Sequence, residues 1–214
     1  MSRFPMTVAV RPGLAARRLT LALAAGLLAG CISIGPGDPT PRTWYELAVP
    51  LPTETAPRTD PRGLWVDVLP GSSFYESISI AYARAPDQRA YYQFASWTEP
   101  VATRLARIVE RDLRARKAFA EVATIGDGSR AQLYLRLVVH DFYHDAAVEP
   151  GKVRVAFSAE LIEISTRRML AREEFSREAP VAQADAAGAV AAFDRAVAGA
   201  LDELAAWLVR ATAP

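Results

Sequence analysis

The chain's two histidines, His140 and His144, stand four residues apart. On a helix that spacing would turn both imidazoles toward one metal ion. The surrounding run Leu133–Tyr143, however, alternates apolar and polar residues and is rich in valine, leucine and tyrosine, the pattern of a strand. At roughly 3.3 Å per residue the two would lie about 13 Å apart, whereas zinc holds each donor atom within about 2.1 Å. No metal site is expected, and both histidines read as partly exposed polar positions. Glu173 and Glu174 are adjacent, but strand neighbours face opposite sides of a sheet, so they make no acid–base pair. Asp141 and Asp145 read as residues ending a strand and entering a hairpin. The sequence contains no G-x-S-x-G elbow, no G-x-x-x-x-G-K-[ST] loop and no G-x-G-x-x-G fingerprint. No serine has a histidine near it in sequence, although triads assemble in space. These residues point away from an enzyme and name no catalytic residue, cofactor or metal.

The only thiol is Cys31, which excludes a disulfide framework and a multi-cysteine zinc site. Residues 1–18 are basic, and Leu19–Leu28 is an apolar run of leucine, alanine and glycine. As a helix that run would rise about 15 Å, half of the roughly 30 Å hydrocarbon core, which suits a signal-peptide core rather than a membrane span. Leu28-Ala29-Gly30-Cys31 follows directly and resembles the lipobox of bacterial lipoproteins. The resemblance implies that Leu28, Ala29 and Gly30 fit the lipoprotein signal peptidase and that the Cys31 sulfur carries lipid as the new N-terminus. Three acyl chains, the usual number in such lipoproteins, would hold the protein to the membrane effectively permanently. Ile32 rather than aspartate after the cysteine implies sorting to the outer membrane. Without residues 1–30 the net charge changes from +1 to −3, with 21 basic against 24 acidic residues. That balance argues against nucleic acid as a partner.

A chain of 214 residues, 51% hydrophobic and 23% charged, is too apolar for disorder and too charged for a multi-spanning membrane protein. Residues 31–62 read as a lipidated cysteine and proline-rich tether interrupted by the apolar island Trp44-Tyr45-Glu46-Leu47, which could pair as an edge strand. Residues 63–214 read as one domain. Alternation predicts strands at Leu64–Leu69, Ser77–Tyr82 and Ala90–Phe94, the last two forming a hairpin. Ser96 and Glu99 have capping-box spacing before a helix over about Glu99–Lys117. That helix opposes Val101, Leu105, Ile108 and Leu113 to Arg104, Arg107, Arg111 and Arg114. Further strands are predicted at Phe119–Ile125, Leu133–Tyr143, Val153–Leu161 and Met169–Ser176. A final helix covers Ala186–Arg210, with Val190, Phe193, Val197, Leu201, Leu204 and Leu208 on one stripe. The order is βββ-α-ββββ-α. Tight turns between the later strands imply antiparallel neighbours, and both amphipathic helices bury their stripes on one face of the sheet. The fold class is α+β.

The arginine face of the first helix reads as solvated, or as facing anionic lipid or an acidic partner. The aromatic group Tyr82, Tyr91, Tyr92, Phe94 and Trp97 reads as cross-strand packing or as a partner surface. The order of these pieces resembles the ABC-type transport auxiliary lipoproteins, the outer-membrane lipoproteins of paraquat-inducible-type lipid transport systems. The resemblance is carried by Cys31, the Trp44–Leu47 island, the strand Leu64–Leu69, Ile80-Ala81-Tyr82 and the stretch Tyr92–Pro100. It continues through His140-Asp141-Phe142, Val153–Leu161, Phe175 ahead of Pro180-Val181, Asp185-Ala186-Ala187 and Trp207-Leu208. Ser96 stands where the family pattern has arginine.

The resemblance implies a non-enzymatic, lipid-anchored component on the periplasmic face of the outer membrane. Its implied partners are an ABC permease and ATPase and a substrate-binding protein with a mammalian-cell-entry domain. It also allows a homo-oligomer, with the alanine-rich last helix as a permissible interface. A structural or pilot lipoprotein of a secretion or surface-polysaccharide assembly is the alternative reading.

Overall fold

Period-two and period-3.6 patterning resolve into eight strands and two long helices in a computed structural model that describes residues 41–213. The signal segment, the lipobox and Cys31 lie outside the described residues. The strands are β1 (Thr43–Tyr45), β2 (Asp60–Pro70), β3 (Ser79–Ala83) and β4 (Ala90–Trp97), then, after the first helix, β5 (Phe119–Thr124), β6 (Leu133–Asp145), β7 (Lys152–Glu163) and β8 (Arg168–Pro180). The helices are α1 (Val101–Ala115) and α2 (Ala186–Ala211). The α+β class and the predicted order hold, with the island supplying β1 as one extra edge strand.

β6 is the spine of the sheet. One edge pairs antiparallel with β7, and β7 pairs antiparallel with β8. The other edge is shared: β2 runs parallel along Leu133–Val139, and β3 runs parallel at His144 and Asp145. β5 lies parallel on the far side of β2, β4 antiparallel to β3, and β1 parallel to β4. The tight-turn expectation therefore fails for β5 and β6, which flank β2. Residues 125–132 carry the chain across β2 at Gly63, where a Cβ would come within 2.7 Å of the Arg130 carbonyl oxygen. Only a bare backbone allows that crossing.

Both helices cover the same face. α1 buries Leu105, Ile108, Val109 and Leu113 over β2 and β5, while α2 lies over β7 and β8. Their stripes converge on Val68, Leu137, Val139, Val155 and Phe157. Ala189, Ala192, Ala196 and Ala200 are buried, so the alanines of α2 serve close approach to the sheet. Asp185 caps α2 by accepting from the Gly188 N–H at 2.7 Å. The predicted capping box of α1 does not form, because Ser96 lies inside β4 and its hydroxyl accepts from Arg42. Glu99 instead pairs with Arg104 and Arg107.

The tether boundary at residue 62 also moves. The compact unit begins at Pro41, with Leu47 and Val49 in its core. The arginine face of α1 is what holds this segment. Arg104 donates to the Leu47 carbonyl at 2.9 Å and pairs with Glu46, and Arg111 donates to the Val49 carbonyl at 2.6 Å. Charged donors on backbone carbonyls are strong hydrogen bonds. A face read as solvated, or as meeting anionic lipid or an acidic partner, instead clamps the backbone at Leu47 and Val49.

Candidate functional site

The aromatic group divides among three surroundings. Register between β3 and β4 shifts between Ser79 and Ala81, which puts extra residues into β4 between Tyr91 and Ser96. Tyr92 and Trp97, of opposite parity, consequently both reach the helix-covered face. Trp97 is 3% exposed and meets Phe142 and Phe193 edge-on at 6.0 and 5.6 Å. It belongs to the core, which corrects its reading as a partner-surface residue: an indole clamped between two buried rings presents nothing outward. Tyr82 packs against Tyr92 at 5.1 Å, and both are half-buried. Tyr91 remains exposed, stacked on Phe74 at 4.2 Å and donating its hydroxyl to the Phe74 carbonyl. Phe94 is exposed as well.

His144 is the polar centre of this region. A bulge at His140 inserts one residue between Val139 and Asp141, so even-numbered residues after it face inward where odd-numbered ones did before. His144 is therefore 1% exposed, while His140 is exposed. The sequence reading of both as partly exposed fails at His144 for this reason. The His144 Nε2 lies 2.9 Å from the Pro150 carbonyl oxygen, which can only accept, so Nε2 carries the proton. Nδ1 is then free to accept from the Tyr92 hydroxyl at 2.7 Å. Burial pushes the Tyr92 phenol up to about 12, keeping it a proton donor across the physiological range. Tyr92→Phe leaves a buried imidazole nitrogen without a donor, and we expect it to cost about 1–3 kcal/mol in urea unfolding. Such a loss would confirm that the Tyr92–His144 hydrogen bond is formed in the folded protein.

Space does bring a hydroxyl to an imidazole that sequence kept apart: Ser158 Oγ lies 3.0 Å from His140 Nε2. Among the described residues no carboxylate is hydrogen-bonded to His140, and Ser158 is 3% exposed. The pair lacks an orienting acid and room for a substrate. Glu173 and Glu174 are both exposed on β8. Among the described residues no group of three or more histidine, cysteine, aspartate or glutamate side chains could hold a metal ion.

An open groove of about 520 Å³ lies between the proline-rich segment 49–57 and α2. Its floor is Arg116, buried and paired with Asp112 at 2.8 Å and with Asp202. Burial pushes the Asp112 carboxyl up from the usual carboxylate range. Sequence reasoning passed over this cluster, although Asp112 and Arg116 have the i,i+4 spacing of a helical ion pair. With its guanidinium already bound by two carboxylates, Arg116 is a structural tie between α1 and α2 rather than an anion receptor.

No helix of the described residues is long and apolar enough to cross a membrane. Comparison with known proteins places this fold. Protein XCC0632 from Xanthomonas campestris has a crystal structure that superposes with a TM-score of 0.70 at 23% identity, covering 79% of this chain and 96% of that one. A second crystal structure, of an uncharacterized protein, gives 0.63 at 16% identity, covering 78% and 99%. No curated protein matches the sequence. A family model described as the ABC-type transport auxiliary lipoprotein component matches residues 45–205, almost the whole folded unit. The chain belongs to the ABC-type transport auxiliary lipoprotein family.

Proposed function

We propose that the protein is the outer-membrane lipoprotein of an intermembrane lipid transport system, facing the periplasm and held by lipid on Cys31. In this reading it docks the periplasm-spanning substrate-binding protein, one with a mammalian-cell-entry domain, whose permease and ATPase complete the system. It performs no catalysis. The observation that carries the reading is the family match across residues 45–205, which ties the fold to ABC-type transport. The Leu28-Ala29-Gly30-Cys31 sequence supports the anchor, and Ile32 supports the outer membrane as its address. Self-association is part of the same reading. Because most alanines of α2 are spent on the sheet, it would use that helix's outer residues, Ala191 and Ala206.

Cys31→Ser is expected to abolish palmitate labelling and move the protein from the membrane to the soluble fraction, with the fold intact by circular dichroism. Purification of the tagged wild-type protein from membranes in mild detergent should recover the mammalian-cell-entry component. Recovery of a secretin or a polysaccharide exporter in its place would replace the transport reading with the pilot reading.

A further inference from the structure

The chain enters the folded unit beside two large apolar side chains left in water. Trp44 on β1 is 53% exposed and Phe94 on β4 is 46% exposed. Parallel pairing of Thr43 with Ala95 and Trp44 with Ser96 sets them about two residues apart along the paired strands. Arg42 locks the point of entry to the same strand, donating to Ser96 Oγ at 2.9 Å and to the Gln93 carbonyl at 3.1 Å. The exposed Tyr91, two residues before Gln93 on β4, extends the aromatic surface. Entry point and aromatic rim are therefore one rigid piece.

We infer that this rim, centred on Trp44 and Phe94, seats the domain directly in the headgroup layer of the bilayer that holds the anchor. The inference rests on the Cys31 anchor reading. Only ten residues lie between Cys31 and Arg42, so even a fully extended chain keeps the entry point at Arg42 within about 40 Å of Cys31. Tethering at that range gives a weak surface contact a high effective concentration of membrane. Tryptophan suits the place, since its ring is apolar and its N–H polar, and such side chains gather at membrane–water interfaces. A folded protein is the poorer occupant. A stable protein interface buries about 800 Å² on each side, well beyond what two exposed rings and a tyrosine edge supply.

The test uses the full lipidated protein in vesicles of phosphatidylethanolamine and phosphatidylglycerol, with and without bromine on the acyl chains. Of the four tryptophans, Trp97 and Trp207 are buried and Trp65 is half-buried, which leaves Trp44 as the exposed reporter. The expected result is a blue-shifted Trp44 emission that brominated lipid quenches, more strongly with bromine near the headgroups than near the chain ends. Trp44→Phe should abolish the quenching. Phe94→Ser should weaken it while the protein still floats with the vesicles. Flotation without Trp44 quenching overturns the seating and leaves the anchor standing. A blue shift without quenching overturns it too, because another protein surface then covers the rim. Failure to float ends the anchor reading and the seating with it.

Discussion

Phe193→Ala should cost about 3–5 kcal/mol of unfolding free energy, the range for removing a large buried ring without refilling the space. Phe193 is fully buried and stacks on Phe142 at 4.4 Å, with rings nearly parallel at 4°, while Trp97 stands against both. The three rings join α2 to β6 and β4, so the cavity opens where the last helix, the spine strand and the hairpin meet. Neighbouring aromatics are too rigid to flow into it, which places the loss toward the upper part of that range. Urea denaturation followed by tryptophan fluorescence would measure it, and Trp97 would report the loosening by a red shift of the native spectrum. A cost below about 1 kcal/mol would mean that α2 closes onto the sheet without this triad, and the account of the core given above would be wrong.

Gly151→Ala is expected to cost more than about 2 kcal/mol. Gly151 has a φ of +83°, where an L side chain is strained, and an added Cβ would overlap the Asp145 carbonyl oxygen and lie 2.8 Å from His144 Nε2. The Asp145 oxygen belongs to the backbone and cannot swing aside. Relief comes only by opening the β6–β7 hairpin, which also breaks the His144–Pro150 bond. Gly126 supplies the control. It has a φ of +98° but nothing within 4 Å of the added Cβ, so Gly126→Ala should show strain alone, about 1 kcal/mol. Equal costs at the two sites would remove the steric argument. A shifted His144 ring resonance in Gly151→Ala, and not in Gly126→Ala, would support it.

What the sequence discloses is governed by period. Leu133, Leu135, Leu137 and Val139 point inward as their alternation requires, and the stripe of α2 buries Phe193, Leu201 and Leu204 as expected. A bulge leaves no such mark. One extra residue at His140 reverses every later side chain of β6, so a position read as half-exposed becomes the most enclosed polar group of the strand. The Cys31 reading draws on no tertiary context, only on a unique residue type at a compositional boundary, and it lies outside the described residues. The arginine clamps are illegible for the opposite reason. Arg104 and Arg111 are defined by the carbonyls of Leu47 and Val49, more than fifty residues away in sequence, and spacing along α1 contains nothing about those partners. Trp97 shows the same limit, since an aromatic suits an interface and a core equally well until its neighbours are known.

Completion of the core by α2 bears on when the polypeptide can fold. Phe193, Leu204 and Leu208 are fully buried and lie beyond residue 190 in a chain of 214. Arg58, near the other end, is bonded to the Val209 carbonyl. A ribosome or translocation pore that still hides α2 thus withholds the helix that covers β7 and β8, while α1 can already close on β2 and β5. Because α2 is the last element of this fold to emerge, β7 and β8 stay uncovered until it does, which leaves that part of the chain open to threading.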